Sequence, residues 1–159
     1  MDKLFLITLG GRVTEANLEV HDVIFLQAAS FEATHEPLKE KWYGNLRGLH
    51  IDSYMQLDYM DGHQIEVKDQ PSFGKSLYMV NIGGYTHGEL MEKHNIELLV
   101  ASSEEEAKTR VKAKYKDIYY SSHVDNIADV SDLIDCGYVH LTEVDHEDSP
   151  VVITGYYKI

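Results

Sequence analysis

The chain has 159 residues, 43% hydrophobic and 26% charged, which is enough apolar material for a sizeable core and too much for a disordered polymer. A formal charge of -13, spread over both halves, argues against a nucleic-acid partner. The apolar run at residues 4–9 is too short to cross a bilayer and is broken by Gly10-Gly11-Arg12, so the expectation is a cytoplasmic protein without membrane attachment. One cysteine, Cys136, leaves neither an intrachain disulfide nor a thiolate metal cluster within one chain, and its place between Asp135 and Gly137 reads as a turn.

Lys3 to Leu9 is continuously apolar after its first residue, the pattern of a strand covered on both faces and therefore central in its sheet. Gly10-Gly11 reads as a tight turn ending it, rather than a phosphate loop, because neither a lysine nor a clear helix start follows. A second strand, about Val20 to Ala29, is rich in β-branched and aromatic residues and is placed to pair with the first as an antiparallel hairpin. Ser30 then reads as a helix N-cap with Glu32 in the first turn, and Leu38 and Trp42 stand four apart on one side. Pro37 should bend that helix or delay its start.

The next strand carries His50-Ile51-Asp52, with Ile51, Met55 and Leu57 alternating against His50, Asp52 and Tyr54. Asp61-Gly62 signals a turn into a short strand, His63 to Val67. Lys68 to Lys75, with Pro71 and Gly74, is a connecting segment, and residues 70–75 are taken as a linker.

From Leu77 the pattern begins again. With one constant shift of 73, Leu4 falls on Leu77, Gly10-Gly11 on Gly83-Gly84, Glu19 on Glu92, His21 on His94, His50 on His123 and Asp52 on Asp125. Trp42 falls on Tyr115, and Pro37 on Arg110. In this half the strand His94 to Ala101 puts Ile96, Leu98 and Val100 on one face and Asn95 and Glu97 on the other, so the first face is expected to be buried, with His94 and by register His21 opening it. Ser103 and Glu106 form a capping box for a helix from about Glu104 to Lys116, with Ala107, Val111 and Tyr115 as its apolar stripe. Residues 126–134 fit either a strand or a short helix.

The tail, Tyr138 to Val144, a polar turn through Pro150 and Val151 to Lys158, reads as a closing hairpin without a counterpart in the first half. The expected fold is α+β: two tandem β-β-α-β-β repeats, residues 1–69 and 76–159, mainly antiparallel, with one helix per repeat on one face and a pseudo-twofold relation. Such an arrangement suits a fused form of an ancestral homodimer, and leaves self-association as a homo-oligomer open.

Leu4-Phe5-Leu6 running into Gly10-Gly11, then Glu19 to Asp22, then His50-Ile51-Asp52-Ser53-Tyr54, resembles the bacterial family catalogued as domain of unknown function 1543. The resemblance implies a domain present in one or two copies per protein, and it implies no activity or catalytic residue. The second half departs from the first at Arg12 to Tyr85, Asp22 to Asn95 and Ser53 to Asn126.

The residues that could carry chemistry are Glu19, His21, His50 and Asp52 with their counterparts Glu92, His94, His123 and Asp125. Two imidazoles and two carboxylates are suitable ligands for zinc, manganese or iron, with Glu19, His21, Glu92 and His94 as metal candidates. His21, His50, Asp52, His94, His123 and Asp125 would equally suit acid/base catalysis on an uncharged or cationic small molecule. Strict alternation separates them: His21 is expected to point toward the core and His50 and Asp52 away from it, so that only a bulge, a strand end or a neighbouring copy would let them converge. The plainer reading is a non-catalytic binding or interaction module without a cofactor, in which these positions serve folding alone.

Overall fold

The computed structural model describes residues 2–145 and 148–159. In chain order the regular elements are β1 (Lys3–Gly11), β2 (Val20–Ala28), α1 (His35–Lys41), β3 (His50–Gln56), β4 (Tyr59–Met60), β5 (His63–Lys68), β6 (Ser76–Tyr85), β7 (Lys93–Ala101), α2 (Glu104–Tyr115), β8 (Ser121–Asp129), β9 (Tyr138–Glu143) and β10 (Ile153–Lys158). This is an α+β protein of antiparallel ladders with two short helices. No helix among the described residues is long and apolar enough to cross a membrane. The chain divides into two compact units, Met1–Tyr59 with Asp148–Ile159, and Met60–Glu147.

In the first unit the strand order is β10-β3-β1-β2. β1 is central, as its unbroken apolar run requires: Phe5, Ile7 and Leu9 are buried on one face, Leu4 and Leu6 on the other. The first set packs with Leu26 and Ala28 of β2, Leu38 and Trp42 from the helix side, Leu49 and Ile51. Each Leu or Ile so enclosed contributes about 1.5–3 kcal/mol relative to exposure. Pro37 delays the helix instead of bending it: Glu32–Thr34 forms a 3-10 turn, and Pro37 falls in the first turn of α1, where an amide N–H has no helical acceptor. Ser30 Oγ accepts from Ala33 N at 3.3 Å and so steadies the 3-10 turn, but it does not cap α1, whose N-cap is Thr34 without a side-chain capping bond.

The second unit has a sheet in the order β7-β6-β8 and another that joins β5 to β9, with β4 entering it through the Asp61-Gly62 turn, where both residues have positive φ. α2 begins as its sequence dictates. Ser103 Oγ accepts from Glu106 N at 3.2 Å, while the Glu106 carboxylate accepts from Ser102 N at 2.9 Å, one residue earlier than the simplest capping box. Ala107, Val111 and Tyr115 pack on Tyr78, Val80, Ile82, Leu99 and Ala101. Residues 126–134 divide: β8 runs to Asp129, whose carboxylate accepts from Ser131 N at 2.9 Å and starts the 3-10 turn Val130–Asp132.

Three further expectations fail. Gly10-Gly11 and Gly83-Gly84 do not turn the chain but lie inside β1 and β6. The tail forms no closing hairpin: β9 pairs with β5 and β10 with β3, each an edge needing a partner, and the turn expected between them includes residues 146 and 147, which lie outside the described residues. Under α2, β7 presents Leu99 and Ala101 with Asn95 and Glu97, whereas Ile96 and His94 are exposed on the opposite face. The polar pair is tolerated there because tyrosines serve it: Tyr115 Oη donates to Glu97 Oε1 at 2.5 Å, and Asn95 Nδ2 donates to Tyr119 Oη.

Candidate metal centres

Gly10 of β1 pairs with His21 of β2 on one side and with His50 of β3 on the other, so both imidazoles flank one glycine. Thr8 pairs with Ser53 and Leu9 with Ile51, which leaves Asp52 as the extra residue of a β-bulge. The bulge resets the alternation beyond it: Tyr54 joins Ile51 against the helix-side core and Met55, expected there, sits opposite Leu6. Glu19 immediately precedes β2. His21 Nε2 lies 3.3 Å from Glu19 Oε1 and 3.3 Å from Asp52 Oδ2, while His50 Nε2 lies 3.4 Å from Glu19 Oε1 and 3.2 Å from Asp52 Oδ1.

The second unit repeats this construction. Gly83 pairs with His94 and His123, and the shift between Asn81 and Ile82 leaves Asp125 as the bulged residue. His123 Nε2 is 3.1 Å from Glu92 Oε1 and 2.9 Å from Asp125 Oδ1; His94 sits alongside, Nε2 3.4 Å from Glu92 Oε2 and Nδ1 3.1 Å from Asp125 Oδ2. Glu92, His123 and Asp125 each offer one ligand atom, and these lie within 4.8 Å of one another.

All eight sequence candidates therefore fall into two groups of four, correcting the expectation that His21 faces the opposite way from His50 and Asp52. His21 does not open the core: its side chain is 60% exposed, on the face away from the helix. The row Ile96, Leu98 and Val100, expected to be the buried one, is buried at Val100 but exposed at Ile96 and His94, so the histidine end of it lies outside the core.

What sequence reading missed is the glycine beneath each group. A Cβ on Gly10 would stand 2.6 Å from His50 Nε2 and 3.1 Å from Asp52 Oδ2; one on Gly83 would stand 2.6 Å from Asp125 Oδ2 and 2.7 Å from Glu92 Oε1. The second glycine of each pair serves the other face, where a Cβ on Gly11 would meet the Trp42 ring at 2.8 Å and one on Gly84 the Tyr119 ring. The available signal was that a double glycine interrupts an otherwise strand-like run at the same place in both halves.

The electrostatics of each group turn on what stands between its imidazoles and its carboxylates. Gly48 O, 2.9 Å from His50 Nδ1, can only accept, so Nδ1 carries a proton and Nε2 is the nitrogen that faces the Glu19 and Asp52 carboxylates. Contacts at this range are favourable with a second proton on Nε2, as an ordinary ion pair, or with a metal ion between the nitrogen and the oxygens. An imidazole whose other nitrogen donates to a backbone carbonyl is the usual arrangement of a metal-ligating histidine. Glu92 Oε1 is shut off from solvent and accepts no hydrogen bond from the described residues, although His123 Nε2 is 3.1 Å away. Donor atoms about 2.0–2.2 Å from a shared ion stand about 3–3.5 Å apart in tetrahedral or octahedral coordination; among the described residues Glu92, His123 and Asp125 meet the one-donor-each test, while His94 reaches Glu92 and Asp125 through different nitrogens.

No curated protein shows significant sequence similarity to the chain. The solved structure of a protein Il1583 from Idiomarina loihiensis is similar over 99% of this chain and 97% of its own length, at 29% identity and a TM-score of 0.77. The model of the family described as Domain of Unknown Function (DUF1543) matches residues 16–67, the segment that carries Glu19, His21, His50 and Asp52, and this match supports kinship with that family.

Proposed function

We propose that this chain is a duplicated metal-binding protein, with one divalent transition-metal ion at Glu19, His21, His50 and Asp52 and another at Glu92, His94, His123 and Asp125. The observation that carries the reading is the convergence of two imidazoles and two carboxylates around a bulged aspartate and a side-chain-free glycine. Nitrogen, carboxylate oxygen and near-neutral net charge once M2+ is bound suit zinc, iron or manganese better than calcium or magnesium. Bound there, the ion would act as a Lewis acid toward a small molecule, the enzymatic reading; the chain's own part is to supply the donors and fix their orientation.

Duplication accounts for more than the shared residues. The two bulges lie 73 positions apart, and the polar pair beside each bulge changes as a unit, from Thr8 with Ser53 at 2.7 Å to Asn81 with Asn126 at 3.3 Å. The loop after each helix is also tied to the end of the central strand, by Asn45 N donating to Arg12 O at 2.7 Å and Tyr120 N donating to Tyr85 O at 2.9 Å. We take the setting to be bacterial and cytoplasmic, where one cysteine among nine histidines leaves metal binding to nitrogen and oxygen donors.

The test is metal content after purification without chelators, for the natural sequence and for D52N, D125N and the double variant. Two equivalents, one, one and none are expected. Absence of bound metal, with H21A and H94A changing stability alone, would instead favour a non-catalytic interaction module in which these contacts serve folding.

A further inference from the structure

The outer edges of β3 and β8 are the same edge of the repeat, yet among the described residues only the first is paired. In the first unit β10 runs antiparallel along β3, with Ile153 opposite Tyr54, Thr154 opposite Ser53, Tyr157 opposite Ile51 and Lys158 opposite His50. Two residues, Gly155 and Tyr156, span the place where β3 has only the bulged Asp52, so the covering strand is matched to the bulge. Tyr156 stacks on His50, with ring centroids 4.2 Å apart, and Tyr157 packs against the helix-side core. Gly155 makes room for that second ring, since a Cβ there would stand 2.6 Å from Tyr157 Cε2.

In the second unit β8 carries the same bulge at Asp125 but ends the order β7-β6-β8, and no described strand continues the ladder beyond it. An edge of this kind presents a row of N–H and C=O groups without ladder partners. Ser121, His123, Asp125 and Asn126 are exposed along β8, whereas no residue of β3 is. Val124 is half-buried where its equivalent Ile51 is fully enclosed.

We infer that the outer edge of β8 is a docking site for an extended segment of another protein, which adds to the sheet as an antiparallel strand and carries, in the order found in β10, a β-branched residue, glycine, two aromatic residues and a basic residue. Moved by 73 positions, the register of β10 sets the β-branched residue opposite Ile127, the glycine and first aromatic beside Asp125, the second aromatic opposite Val124 and the basic residue opposite His123. Main-chain bonds supply the affinity of such an added strand, and the side chains at the bulge its selectivity. Charge decides the source. β8 has two aspartates and no lysine or arginine, in a chain of net charge -13, so a second copy pairing through its own β8 would set like charges against each other. The β10 of a second copy is already held by its own β3. A neutral or basic segment of a different protein meets neither obstacle, and strand addition at this edge requires no bound metal.

The probe is a synthetic peptide of residues 151–159, which has the required order of side chains. It is titrated into the full isotopically labelled chain while backbone amide resonances are followed. Saturable shifts should run along Ser121–Asp129, with slowed amide exchange there. The peptide carrying G155V, which puts a side chain where the second ring must lie, should bind at least tenfold more weakly, and the peptide carrying Y156A at least threefold. Without peptide, the β8 resonances should not change with protein concentration. Absence of saturable binding up to about 1 mM peptide, shifts centred on β3 as the peptide displaces the chain's own β10, or unaltered affinity of either altered peptide would each overturn the inference. Concentration-dependent shifts along β8 in the chain alone would seat a second copy there and overturn it as well.

Discussion

Gly83 and Asp125 stand so close that a single methyl group on the glycine would lie 2.6 Å from the carboxylate oxygen Oδ2. No unusual backbone angle demands glycine there, since Gly83 lies in a regular part of β6. The demand comes from above, where the bulge tips Asp125 over the strand. G83A should therefore displace the movable ends of Asp125 and Glu92 and leave the sheet standing. The expected outcome is loss of one metal equivalent with a melting temperature within a few degrees of the natural chain, and G10A should do the same to the first centre. Elemental analysis beside circular-dichroism melting checks both; a G83A protein that retains its full metal content would show that the cradle is incidental.

The neighbouring glycine predicts the opposite separation of effects. A side chain at residue 84 would meet the Tyr119 ring close to its Cβ, which cannot swing away as a carboxylate can. G84A should cost about 1–3 kcal/mol through overpacking, read from urea denaturation. Metal bound per folded molecule should stay the same.

Tyr156 should control exchange at the first centre. Y156A removes the ring stacked on His50, and a chromophoric chelator should then strip that metal at least tenfold faster. Y156F, which keeps the ring, should behave as the natural chain does. Equal stripping rates for Y156A and the natural chain would show that the roof is not a barrier.

At alkaline pH a different pair decides. Burial, together with the hydrogen bond to Glu97, pushes the Tyr115 phenol above its ordinary range. The folded chain thus holds this proton more tightly than the unfolded one. The associated stabilisation is complete below the unfolded tyrosine value of about 10, and is lost as pH rises through the raised folded value. Denaturation midpoints above about pH 10 should fall more steeply for the natural chain than for Y115F; parallel curves would contradict the assignment.

Much of the architecture could be read from the chain because it is local. The unbroken apolar run of β1 announces a central strand, and Ser103 announces the start of α2. Leu38 and Trp42, like Val111 and Tyr115, announce the helical faces. The faces of β7 could not be read, because Asn95 and Glu97 are polar yet satisfied by tyrosine hydroxyls from the helix side. Nor could the bulges, since one unpaired residue, Asp52 or Asp125, has no compositional mark and reverses every side chain beyond it. The partner of β10 lies about a hundred residues away in β3, and nothing in the tail names it. Thus the candidate ligands were visible as residue types while their convergence was not.

The central claim meets its most direct test in crystals grown with zinc(II), with anomalous diffraction recorded on either side of the zinc absorption edge. The account predicts an anomalous peak within about 2.0–2.2 Å of His123 Nε2 and of oxygens from Glu92 and Asp125, and a second one among Glu19, His21, His50 and Asp52. Featureless maps at both places, with His123 donating an ordinary N–H hydrogen bond straight to Asp125, would contradict it.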